Sequence, residues 1–110
     1  MASALDAGVM PWHIALDPGL GFGKTHEACF SLLRGGLQFE RRFLRGAPVL
    51  IGASRKGFLA GGGDAPGDRD AASCAAAAVA AFTGAHIIRA HNVAYAAAAA
   101  RVGHAARAAA

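Results

Sequence analysis

Three polar groupings carry whatever chemistry this chain performs. Asp17 heads the loop Asp17-Pro18-Gly19-Leu20-Gly21-Phe22-Gly23-Lys24. A carboxylate costs free energy to bury unless donors surround it, and a flat heterocycle with an amino group beside a ring N–H offers two parallel hydrogen bonds in the fork that a carboxylate accepts. The second grouping is Ser54-Arg55-Lys56, a hydroxyl followed by two cations. The third is Arg89 with His91, which are two residues apart and therefore point the same way on an extended strand. Fixed cations brought together in this way suit a ligand that carries or develops negative charge.

The elements that must position these groups are legible as apolar runs. Residues 13–17, 48–53 and 85–90 read as short strands, with helices predicted over 25–34, 37–45 after the Gly35-Gly36 break, 70–82 and 93–109. Asp70 is expected as an N-cap, Gly84 as a C-terminal cap, and Gly103 as the weak point of an alanine-rich final helix. Continuous apolar strands such as Val49-Leu50-Ile51, alternating with helices, predict parallel βαβ units buried on both faces, an α/β architecture. Each polar grouping falls at or just beyond the C-terminal end of a strand. That edge is where ligands bind in parallel α/β sheets and barrels.

Composition narrows the classes. The chain has 110 residues, 55% hydrophobic and 16% charged, with a mean hydropathy of +0.34, as expected of one modest globular domain. Its net charge of +4 comes from eleven Lys and Arg spread from Lys24 to Arg107 without an aromatic-interleaved stripe, which favours small anionic ligands over nucleic acid. No long run of large apolar side chains indicates a membrane span. Cys29 and Cys74 lack zinc spacing and read as buried spectator thiols. The alanine tracts carry no functional meaning, and His13, His26, His86 and His104 are expected to be structural or exposed.

The glycine loop fails two phosphate-binding templates. A P-loop needs four residues between its first glycine and the Gly-Lys pair, whereas three separate Gly19 from Gly23-Lys24. A dinucleotide fingerprint needs a third glycine where Lys24 stands. A tight turn with glycines at positive φ does not explain Asp17, whose fork fits pterin and guanine edges alike.

Together, residues 17–24, the run Ser54-Arg55-Lys56-Gly57-Phe58-Leu59 and the run Ile87-Ile88-Arg89-Ala90-His91-Asn92-Val93 resemble the last three signature segments of the dihydropteroate synthases, in order and at the family's spacing. The stretch Asp68-Arg69-Asp70-Ala71-Ala72, with Asn92 where many bacterial members have aspartate, resembles the plant-type enzyme fused behind a hydroxymethyldihydropterin pyrophosphokinase. The resemblance implies a partial TIM (β/α)₈ barrel, its last three strand-helix units, with residues 1–110 forming the C-terminal part of a pterin-binding domain and little activity alone. The implied reaction joins p-aminobenzoate to 6-hydroxymethyl-7,8-dihydropterin pyrophosphate, giving 7,8-dihydropteroate and pyrophosphate.

By that resemblance Asp17 accepts hydrogen bonds from the pterin, Gly21 lets the backbone approach the ligand, and Phe22 walls the p-aminobenzoate pocket, which sulfonamides also enter. Lys56 reaches the pterin carbonyl and ring nitrogen while its stem lies along the benzoate ring. Ser54 binds the p-aminobenzoate carboxylate, Arg89 lies near the pterin and the departing pyrophosphate, and His91 binds pyrophosphate oxygens. Lys56, Arg89 and His91 are the implied catalytic residues, whereas Arg55 reads equally as an ion-pair partner. The family reaction uses Mg2+, held chiefly by the pyrophosphate and a residue outside this chain, and members form homodimers through the last helices. Two alternatives stand beside this: a truncated product that binds nothing, and a related methyltetrahydrofolate methyltransferase barrel, against which Ser54-Arg55-Lys56 argues.

Overall fold

The computed structural model describes residues 1–35, 46–61, 65 and 69–109. The expected helix over 37–45 lies outside them, as does Asp68. A short helix α1 (Ala2–Asp6) and a 3₁₀ turn at Pro11–His13 lead into helix α2 (His26–Arg34), strand β1 (Leu50–Ile51), a 3₁₀ turn at Gly57–Leu59, helix α3 (Asp70–Thr83), strand β2 (Ile87–Ile88) and helix α4 (Val93–Ala108). The helix ends follow local chemistry. Thr25 caps α2 by accepting the Ala28 N–H at 3.1 Å, Asn92 caps α4 by accepting that of Tyr95 at 3.2 Å, and Gly84 closes α3 in the left-handed region at φ 104°.

The strands are parallel and shorter than their apolar runs. Leu50 pairs with Ile87 and Ile51 with Ile88, while the segment before the glycine loop joins through one parallel bridge, Leu16 to Val49. His13 belongs to the 3₁₀ turn rather than to a strand. The three segments are nevertheless neighbours in chain order, so their C-terminal ends share one edge.

Burial alternates along the middle segment. Val49, Ile51 and Ala53 are buried against the helices in one core with Leu20, Cys29, Leu33, Phe58, Ala76 and Ala80. The intervening Leu50 is half-buried and Ile87 exposed, because among the described residues helices cover one face of the sheet. The expectation of burial on both faces is corrected to that extent. Thr83 Oγ1 ties α3 to α2 by donating to the Leu33 carbonyl at 3.0 Å, and the Phe30 and Phe58 rings meet edge to face at 5.1 Å.

Gly103 is not a weak point. It is buried where α4 crosses α3, and a Cβ built on it would lie 2.1 Å from the Ala78 carbonyl oxygen. Asp70 is likewise not an N-cap: Arg69 holds that position and Asp70 is the first helical residue. No helix among the described residues is long and apolar enough to cross a membrane.

On an isolated helix Gly103→Ala would stabilise by about 1 kcal/mol through propensity. Here the new methyl must push two helices apart, at a cost of about 1–3 kcal/mol. Urea denaturation is expected to show a net loss of stability, and a gain would contradict the close crossing.

Candidate active site

At the shared strand edge lies a cavity of about 600 Å³, lined by Phe22, Gly52, Ser54, Arg55, Lys56, Arg89, Ala90 and His91. That size is typical of small-molecule sites. Its lining holds three cations, a hydroxyl, an imidazole and an aromatic ring, with no carboxylate. Strand alternation explains part of the list, since Gly52 and Ser54 follow Leu50 on the face away from the helical core.

Lys56 connects two loops. Its ammonium donates to the Leu20 carbonyl and lies 4.8 Å from the centroid of the Phe22 ring, a cation–π contact of about 0.5–1 kcal/mol at an exposed position. Burial pushes this ammonium below its ordinary value; Asp17 opposes that shift and Arg89 adds to it. The stem packs on Gly21, which has φ 85° and whose added Cβ would meet Lys56 Cδ at 3.2 Å. The positive φ favours glycine there, and a Cβ would oblige the Lys56 stem to give by a few tenths of an ångström. The Gly21 N–H donates to Cys29 Sγ at 3.2 Å, so this buried thiol pins the loop and is more than a spectator. Lys24 folds back to donate to the Gly19 and Phe22 carbonyls at 2.9 and 3.1 Å.

Ser54 and His91 meet across the loops that follow β1 and β2. Ser54 Oγ lies 2.8 Å from His91 Nδ1 and accepts the His91 N–H at 3.1 Å. Arg89 extends the ladder by donating its N–H to the Ile51 carbonyl at 3.0 Å. Its guanidinium lies over Gly52, where an added Cβ would come within 2.8 Å of Nη2. Arg55 lines the cavity while pairing with Asp70 through Nε at 2.8 Å and Nη2 at 3.2 Å. The Arg55 hydrogen bond is the largest influence holding the Asp70 carboxyl below its ordinary value, against the opposing effect of desolvation.

Five of the seven sequence-predicted site residues, Phe22, Ser54, Lys56, Arg89 and His91, therefore share one cavity. Asp17 and Gly21 do not line it. Asp17 is exposed and accepts the Gly19 N–H on Oδ1 at 2.8 Å, near enough to act on Lys56 through its charge. Gly52 and the role of Cys29 escaped the sequence reading because each acts through a contact made only in the folded chain. His86, expected to be structural or exposed, is structural: it accepts the Val49 N–H on Nδ1 at 3.1 Å.

A family model described as pterin binding enzyme matches residues 1–91, and the chain belongs to that family. Within it, the chain is similar to dihydropteroate synthases. It is 42% identical over 94 residues to the Streptococcus pyogenes enzyme, covering 83% of this chain and 34% of that protein. Among solved structures, the Coxiella burnetii dihydropteroate synthase in complex with pteroic acid superposes with a TM-score of 0.90 at 32% identity, covering 99% of this chain and 40% of its own. The Xanthomonas albilineans enzyme with 4-aminobenzoic acid superposes with a TM-score of 0.86 at 36% identity, covering 97% and 39%. The chain thus spans about a third of the length of that curated relative.

The Asp70 ion pair gives a pH prediction. Its folded pKa is depressed below 3.8, so its contribution is fully present above the unfolded value and is lost as pH falls through the folded one. The stability difference between the wild type and Asp70→Asn is expected to hold steady from neutral pH down to about 5 and to shrink below about 4. Denaturant titrations across that range test it, and a difference that grows on acidification would contradict the pairing.

Proposed function

We propose that this chain carries the substrate-binding edge of a dihydropteroate synthase, built by the last three strand-helix units of a (β/α)₈ barrel. The observation that carries the proposal is the cavity lining: three cations, a hydroxyl and an imidazole beside an aromatic ring, at the C-terminal ends of parallel strands in a pterin binding enzyme. Such a lining suits a planar ring joined to a pyrophosphate, and an aromatic carboxylate.

In the proposed reaction the bond between the pterin methylene carbon and the pyrophosphate oxygen breaks, and the pyrophosphate leaves with the electron pair. The amine of p-aminobenzoate attacks that carbon and loses a proton. Arg89 and His91 stabilise the charge that grows on the leaving group; fixed donors of this kind lose little reorganisation energy as charge develops. Lys56 holds the pterin carbonyl and ring nitrogen, exchanging its bond to the Leu20 carbonyl for the ligand, while Asp17 accepts the pterin amino group and ring N–H. Ser54 receives the p-aminobenzoate carboxylate and Phe22 walls the benzoate ring, so sulfonamides should compete there.

Magnesium serves the whole reaction in this reading. Among the described residues no group of three His, Cys, Asp or Glu gathers to hold a metal ion. These residues do not fit a protein-held magnesium, and the proposal gives the ion no part in what they do. A homodimer contact falls to α3 and α4, where Val79, Phe82, Tyr95 and Val102 are exposed.

Calorimetric titration with a non-hydrolysable pterin pyrophosphate analogue tests the proposal. Lys56→Ala and Arg89→Ala are each expected to weaken binding at least tenfold, about 1.4 kcal/mol, while Cys74→Ala leaves it unchanged. Equal affinity in all three variants would overturn the assignment.

A further inference from the structure

The turn from Ala53 to Lys56 closes with the Lys56 N–H donating to the Ala53 carbonyl at 3.2 Å, and within it Arg55 has φ 58°. A positive φ at that place in a turn normally calls for glycine or asparagine, because a Cβ there costs about 1–2 kcal/mol. Among the described residues Arg55 is the one non-glycine residue with positive φ. Its neighbours Ser54 and Lys56 both line the cavity.

A strained residue persists where its surroundings over-determine it, and here the start of α3 and the residue before it supply the restraints. The Arg55 N–H donates to Ser73 Oγ at 2.8 Å, and its carbonyl accepts from Arg69 Nη1 at 3.0 Å. Asp70 takes the guanidinium on two oxygens. Asp70 also lies near enough to the following loop for Asn92 and His91 to favour its charged form. The two loops then meet at Ser54 and His91.

We infer that Asp70 is a positioning residue: by holding Arg55 in its strained turn it fixes Ser54 and Lys56, and through the contact of Ser54 with His91 it sets the span between Lys56 on one wall of the cavity and Arg89 with His91 on the other. The inference rests on the reading of that cavity as an anion site. Asparagine at position 70 keeps the size but replaces a two-pronged ionic pair with a weaker neutral bond. The strain at Arg55 is then poorly opposed, and the two loops separate.

Amide hydrogen exchange on the intact chain reads this directly, because the acceptor of the His91 N–H belongs to the other loop. In Asp70→Asn, His91 protection is expected to fall about tenfold or more while the buried Leu33 amide of α2 keeps its own, and the Kd for inorganic pyrophosphate to rise about tenfold, as small misplacements at such sites do. Asp70→Glu keeps the charge on a longer arm, and is expected to weaken pyrophosphate binding about threefold with Leu33 unchanged. Unchanged His91 protection in Asp70→Asn, or a proportional loss at His91 and Leu33, overturns the inference; so does wild-type affinity in Asp70→Glu if Asp70→Asn does not fold. Failure of the wild type to bind pyrophosphate would remove the anion-site reading, and the exchange result would still decide whether Asp70 holds the loops.

Discussion

The structure depends on a short parallel ladder. Leu16 bridges to Val49, Leu50 pairs with Ile87 and Ile51 with Ile88, few pairs in all, yet they align the ends of two strands and one bridged segment side by side. Parallel pairing lets strand-helix units follow one another with their polar C-terminal loops on one edge. The period of two then sorts the middle segment, sending Val49, Ile51 and Ala53 into the helical core and leaving Gly52 and Ser54 beside the cavity. A slip of one residue would exchange the two sets, burying a serine and exposing an isoleucine.

The cavity concentrates positive charge, and the fold manages that charge by giving each cation something to lie against. Lys56 rests on Gly21 and Phe22 and donates to the Leu20 carbonyl; Arg89 lies over Gly52; Arg55 is paired with Asp70. Two of these accommodations use the room left by glycine, at Gly21 under the Lys56 stem and at Gly52 under the Arg89 guanidinium. Like charges held close cost stability, which is tolerable where ligand charge completes the arrangement. Burial is the largest cause of the depressed Lys56 pKa, with Asp17 opposing the shift and Arg89 adding to it as a nearby like charge.

Much of this was legible in the sequence because it is local. Gly84 declares a helix end through its lack of a side chain, the run 25–34 locates α2 to within a residue, and the apolar runs at 48–53 and 85–90 mark the strands. The convergence of Ser54, Lys56, Arg89 and His91 followed from their common place after strands. What escaped is tertiary. Gly103 looked like a flaw because propensity is counted along one helix, while its reason lies on another. Asp70 looked like a cap because its sequence position permits one, but a guanidinium 15 residues away claimed its carboxylate. Cys29 and His86 accept backbone N–H groups from Gly21 and Val49, partners that no spacing rule names.

All of these contacts serve the edge formed by the loops after the two parallel strands and the segment bridged to them, the proposed ligand site. Its most direct test is chemical-shift mapping of the 15N-labelled chain during titration with a dihydropterin pyrophosphate analogue and then p-aminobenzoate. Perturbed amides are expected to cluster at residues 20–24, 54–56 and 89–92, with Arg55 and His91 moving together. Perturbations confined to the α3 and α4 surfaces around His86 and His104, or none at saturating ligand with the chain folded, would contradict it.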